Sequence, residues 1–243
     1  MQRRNLLAGL AGLAALSAKA GPPVPLRVTC GTHYAVSWVT AQLLARVYAQ
    51  AGLPMGIVPQ PSARATASIE QGLTDGECAR IAPYGLQHPS LLRLEPPIYA
   101  LSAQAFWLSG RKLPLRRRED LANFSLVYMR GVHYAEELTK GLSRATATTS
   151  PEQMFRMLAA RRVEVVVDAA LSAQQCAKQL LLDIEESPVL LRYEVYHFLH
   201  PRHAALLPRL SEALRQLIAS GELKRLTAQM EREVIDRPLP RLD

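Results

Sequence analysis

Residues 150–168 read SPEQMFRMLAARRVEVVVD. Ser150 is a good helix N-cap, Pro151 suits the first helical position and Gln153 the third, so a helix starts here. Met154, Phe155, Met157 and Leu158 give that helix one apolar side. Residues 163–167, VEVVV, then read as a buried strand ending at Asp168. A helix that feeds straight into a buried strand points to an α/β chain with a mainly parallel sheet.

The same alternation continues on both sides. Upstream lie a short helix from Glu119, a strand over 125–130, a turn at Gly131, a helix over 134–142 and a strand over 145–149. Downstream come a helix over 171–181, a long strand over 189–199 and a helical stretch over 201–235, broken near Ser220-Gly221. The first half repeats the theme, with strands over 25–30, 55–59 and 78–81 and helices over 37–50 and 62–73. Val39, Leu43, Leu44 and Val47 mark the first of these helices, and Gly52 and Pro54 stop it. Strands over 91–94 and 98–108 follow, the second long and apolar enough to cross between two units. The expectation is therefore two βα-rich units, joined by an outgoing strand at 98–108 and a return strand at 189–199.

The chain has 243 residues, of which 49% are apolar and 21% charged. This is globular composition, and it excludes a disordered tail or a fibrous repeat. The net charge of +8 suggests nucleic acid, but its distribution does not. Met1 to Asn5 is a short basic start, residues 6–17 (LLAGLAGLAALS) are uncharged, and Ala18-Lys19-Ala20 offers small residues before a cut at Gly21. That is the layout of a secretory signal, with an apolar run too short to span a bilayer. Arg3 and Arg4 leave the twin-arginine route open beside the general one. Without Arg3, Arg4 and Lys19, the 29 basic side chains become 26 against 21 acidic ones, and the net charge is +5. Another basic group, Arg111, Lys112 and Arg116 to Arg118, lies in a Pro-containing connector without helical periodicity. No recognition helix accompanies it, so no nucleic-acid partner is expected. Export implies an oxidising compartment. Cys30, Cys78 and Cys176 are an odd set, so at least one thiol is unpaired; Cys30 and Cys78 read either as a bridge between neighbouring strands or as two small buried residues.

In order and local sequence, residues 25–235 resemble the periplasmic solute-binding proteins of family 3, the polar-amino-acid type. The resemblance rests on residues 64–76 (RATASIEQGLTDG), 91–99 (LLRLEPPIY), 119–121 followed by 126–131 (LVYMRG), and 150–168. It implies a two-lobed, hinged α/β protein, with lobe one at 25–108 plus 200–236 and lobe two at 109–199. Each lobe would hold a mainly parallel sheet with flanking helices, and the protein would close as a monomer on a small solute for a membrane permease or a sensor kinase. Amino-acid binders of this family carry an Arg shortly before the Pro-x-Tyr strand; here that slot falls near His88-Pro89, and Arg80 and Arg93 are the nearest cations. Asp168 sits one residue from the family's lobe-two Asp, and Arg161 replaces the usual Gly.

In open α/β sheets ligands bind beyond the carboxyl ends of the strands. That rule selects Thr32, His33 and Tyr34, then Arg64 and Arg80, then Arg130, Gly131 and Asp168. Arg130 before Gly131 and a helix start would make an anion seat. Several Arg with one Asp suit an acidic or zwitterionic solute. No residue set calls for a cofactor. His197, His200 and His203 recur every three residues, but Pro201 interrupts them, and they read as a helix start rather than a metal site. A periplasmic enzyme on the same fold, similar to a cyclohexadienyl dehydratase, is the alternative, and His33 would be its candidate acid or base.

Overall fold

The computed structural model describes residues 24–31 and 35–237, so the signal-like segment and Thr32, His33 and Tyr34 lie outside the described residues. The first part of the chain forms β1 (Leu26–Gly31), α1 (Ala35–Gln50), β2 (Met55–Gln60), α2 (Ser62–Glu70), β3 (Gly76–Ile81), α3 (Ala82–Gln87), β4 (Leu92–Arg93) and β5 (Tyr99–Leu108). A 3-10 turn over Arg118–Asn123 leads to β6 (Leu126–Met129), α4 (His133–Thr139), β7 (Ala145–Thr148), α5 (Pro151–Ala159), β8 (Val165–Ala169), α6 (Ala170–Gln179) and β9 (Ile184–Glu186). The chain returns through β10 (Leu191–Leu199) and a second 3-10 turn to α7 (Leu207–Ala219) and α8 (Glu222–Asp236).

The main strands lie in the order β2-β1-β3-β10-β5-β8-β6-β7, so the two expected sheets are joined into one hydrogen-bonded ribbon. β1 pairs in parallel with β2 and β3, and β6 pairs in parallel with β7 and β8. Between the two sets run β10 and β5, antiparallel to each other and to their outer neighbours. Their register positions the site. Val195 of β10 stands opposite both Ile81, the last residue of β3, and Tyr99, the first of β5. Four residues further along β5, Ala103 stands opposite Ala169, the last residue of β8. The carboxyl ends of the two parallel sets therefore point at each other across the short stretch 99–103.

Each set is covered on both faces. Val39, Leu43, Leu44 and Val47 pack with Leu210, Leu214 and Val234, which lays α1, α7 and α8 on the first set. Ile69 and Tyr84 pack with Phe198 on its other face. Every residue of β8 is buried. Val165 and Val167 join Leu121, Leu126 and Leu138, while Val166 meets Met154, Phe155 and Leu158. This two-sided burial is why VEVVV shows no polar alternation beyond Glu164.

Local differences from the sequence reading have identifiable causes. The helix expected over 62–73 stops at Glu70, because Gly72 takes a left-handed φ of 67° and the Leu73 amide turns back to the Ser68 carbonyl at 2.9 Å. α3 and β9 were not foreseen: α3 is six residues containing Pro83 and Gly85, and β9 is a three-residue strand pairing only with β5. β8 runs through Asp168, which is a strand residue rather than the first residue beyond the strand. Cys30 and Cys78, both fully buried, are joined in a disulfide with Cα atoms 5.3 Å apart, and Cys176 is a buried free thiol. Among the described residues no helix is long and apolar enough to cross a membrane.

Candidate functional site

The facing strand ends leave a cleft of about 150 Å³. Leu101 of β5 and Val195 of β10 form its floor. One wall holds Ser37 at the start of α1, Ser62 at the start of α2, and Ala79 to Ile81 at the end of β3. The opposite wall holds Gly131 to Tyr134 at the start of α4 and Ser172 near the start of α6. The cleft continues outward past Thr66, Tyr84, His88 and Glu136.

Of the charged residues selected from the sequence, Arg80 is the one that lines this space. Its guanidinium is held on several sides. Nη2 donates to the Ser62 carbonyl at 2.8 Å and to Thr66 Oγ1 at 3.0 Å, and it pairs with Glu77. The group also lies over the Tyr84 ring, 4.8 Å from its centroid. Glu77 is 3% exposed, and its second oxygen accepts the Tyr84 hydroxyl at 2.7 Å. Burial, reinforced by Glu77, raises the Tyr84 phenol above its ordinary range. A buried carboxylate of this kind is tolerable because it is paired and hydrogen-bonded. Arg80 Nε is buried without a hydrogen-bond partner, and the guanidinium reaches the cleft through its partly exposed remainder. Sequence reasoning missed Glu77, although an acidic residue between Gly76 and Cys78 in an otherwise buried strand is the signal that would have found it.

The second anion seat is not assembled. β6 is packed on both faces and ends at Met129, and Arg130, the next residue, is exposed and does not line the cleft. Gly131 does line the cleft, with φ at 77°, but its amide already donates to Glu136 Oε1 at 2.8 Å. Arg64 is exposed on α2 and also lies off the cleft lining.

Asp168 sits behind the cleft wall instead of in it, 4% exposed. Its Oδ1 accepts from the Tyr134 hydroxyl at 2.9 Å and from the Ala169 amide at 2.8 Å, while Oδ2 is buried without a partner. Burial pushes its pKa up to about 6, against the lowering effect of those two donors. Asp168 thus fixes the Tyr134 ring that faces the cleft. His133, also unforeseen, begins α4 on the same wall, with Nε2 3.6 Å from Glu137 Oε2.

The three spaced histidines point to different places. His197 is fully buried: its Nδ1 lies 2.9 Å from the Glu77 carbonyl, which can only accept, so Nδ1 carries the proton and Nε2 accepts the Tyr48 hydroxyl at 2.9 Å. Burial depresses its pKa to about 4. His203 Nε2 is 2.6 Å from Asp75 Oδ1, which also accepts from Arg202 at 2.5 Å, while Asp75 Oδ2 takes the Arg27 amide at 2.7 Å. Burial works to raise the Asp75 pKa, but these donors outweigh it and hold the carboxyl below its ordinary value. Among the described residues no group of three His, Cys, Asp or Glu side chains could hold a metal ion.

No family model matches the chain. An uncharacterized protein of Shewanella oneidensis is 27% identical over 192 residues, covering 74% of this chain and 71% of its own length. Among solved structures, the GluR0 ligand-binding core in complex with L-glutamate superposes with a TM-score of 0.74 at 16% identity, over 86% of this chain and 99% of that one. A histidine kinase sensor domain with similarity to periplasmic binding proteins gives 0.71 at 15% identity, over 86% and 96%. An amino acid ABC transporter substrate-binding protein from Streptococcus pneumoniae, bound to L-arginine, gives 0.71 at 14% identity, over 88% and 97%. At such identities the likeness is one of fold, and the fold is the two-lobed α/β architecture of periplasmic binding proteins.

Proposed function

We propose that this chain is a divergent family 3 solute-binding protein, exported to the periplasm, that captures a small acidic or zwitterionic solute between its lobes and presents it to a transporter or a sensor. The observation that carries this reading is the cleft at the meeting of two opposed sets of strand ends, with Arg80 preset in one wall and the α4 start in the other. Lobe one takes 25–108 and 200–236 and lobe two 109–199, with β5 and β10 as the strands between them. A solute touching both walls binds the closed form more tightly than the open one, and that difference in affinity drives closure. The layout of residues 1–20 and the Cys30–Cys78 bridge both fit an exported protein.

The test is a thermal-shift screen with amino acids, carboxylates and small zwitterions. A true ligand raises Tm progressively with its concentration. Arg80→Ala is expected to weaken it by about tenfold or more, the effect of losing a charge-assisted hydrogen bond. A screen in which no solute moves Tm at millimolar concentration would overturn the reading, and so would chemical turnover of the solute that does.

A further inference from the structure

Beside the Arg80 cleft lies a second hollow of about 210 Å³, between the start of β5, the start of α6 and the last turns of α8. The two spaces share Val36 and Leu101, so they are adjoining compartments of one interlobe region. Tyr99, Ser102, Ala169, Gln174, Glu231 and Ile235 are among the residues around the second. Of its described lining residues, Glu231 alone carries a charge.

We propose that this hollow is a cation subsite headed by Glu231, so that the solute carries an ammonium or guanidinium group apart from the anionic or hydrogen-bond-accepting end that meets Arg80. The inference rests on the solute-binding reading and adds the placement of charge within the ligand.

Three features support it. First, Glu231 Oε1 accepts the Tyr99 hydroxyl at 2.7 Å, which orients the carboxylate and still leaves acceptor sites on both oxygens. Burial, and then Glu231 itself, raises the Tyr99 phenol, so the hydroxyl stays protonated and donates to the carboxylate. Second, among the described residues no ion pair neutralises Glu231, although Arg192 and Lys224 line an adjoining hollow with it. An oriented, partly buried carboxylate outside any ion pair favours a cationic partner. Third, the residue that ends β8 on this side is Ala169, which offers only a methyl group, so lobe two supplies no competing acid there. The Arg80 compartment has the opposite character at its lining: it presents the partly exposed guanidinium, while the Glu77 carboxylate that pairs with it is buried outside the lining. The two hollows therefore present charged groups of opposite sign. They fit a solute whose charges sit at opposite ends of a short chain better than one bearing both on a single carbon.

The experiment is calorimetric titration of the full exported protein with three probe families of four to six carbons: ω-amino acids, simple carboxylates and primary alkylammonium ions. ω-Amino acids are expected to bind tightest. Glu231→Gln should weaken the amine-bearing probes by about tenfold or more, the effect of losing a charged hydrogen bond, and leave the carboxylates within about twofold. Tyr99→Phe keeps the charge and should retain amine binding. Gln174→Glu, which adds a second carboxylate to the same hollow, should tighten it, and it remains informative if Glu231→Gln fails to fold. If carboxylates bind as well as ω-amino acids and neither Glu231→Gln nor Gln174→Glu changes amine affinity, the cation subsite falls while solute binding stands. If no probe and no member of the wider solute screen binds, both fall together.

Discussion

Asp168 shows how a single residue can be correctly noticed and wrongly placed. An acid at the end of a valine run looks like a ligand contact, but the strand continues one residue past it and buries it behind Tyr134. Its pKa of about 6, against 3.8 unperturbed, makes a pH prediction. Between those values the folded chain holds a proton that the unfolded chain has released. Stability from this group is therefore present below about pH 4 and is lost as pH rises toward 6, by roughly 3 kcal/mol in all at 1.36 kcal/mol per unit. Asp168→Asn does not titrate, so its Tm relative to the parent should climb as pH goes from 4 to 7. A difference that stays flat over that range contradicts the assignment. Arg80 was legible because it lies near the end of a strand read from its own residues, after the Asp75-Gly76 turn. Its compensation by Glu77 was not, since that contact depends on how the end of β3 lies against Tyr84 and α2. Glu231 gave no signal at all: it is one of several acids on an amphipathic helix, and only the fold brings that helix back to Tyr99.

Among the elements, β1 and β3 are tied twice, by ladder pairing and by the Cys30–Cys78 bridge. The bridge closes a separation of 48 residues that contains α1, β2 and α2. A loop of that length implies about 4 kcal/mol of stabilisation in the chain-entropy account. The double variant Cys30→Ser/Cys78→Ser, or thorough reduction, should lower the urea midpoint accordingly. Release of two thiols with no change in the midpoint would show that the bridge adds nothing. Elements with strong local signals were legible from sequence: the start of α5 to the residue, and α1 and β8 within two residues. Ser150 caps α5 as its sequence suggests, accepting the Gln153 amide at 3.3 Å. The short pieces α3 and β9 were not legible, because six residues with Pro and Gly, or three at an edge, have no periodicity to detect.

Across the whole molecule, α6 bridges the two halves: Ala173, Cys176 and Ala177 pack with Val166 and Phe155, and Leu171 lies inside the cluster formed by α1, α7 and α8. Lys178 reaches Asp236 of α8 across the surface nearby. The buried contact should dominate: Leu171→Ala is expected to cost about 2–4 kcal/mol. Lys178→Ala should cost far less, because both partners are exposed. Denaturant melts giving the reverse order would contradict this account of how the halves are held. The alternation of elements made the α/β class readable, but the joining of both halves into one ribbon was not, because strand pairing between distant segments leaves no local trace. That ribbon also bears on how the protein is made. β10 is inserted between β3 and β5, and the core over β1 needs Leu210, Leu214 and Val234 from the last part of the chain. A polypeptide emerging from its amino end therefore cannot finish the half it began with, whereas residues 126–179 carry three adjacent strands and their covering helices in one run. The part made second is the part able to close first, and the earliest strands wait, with their apolar faces uncovered, for the final helices to arrive.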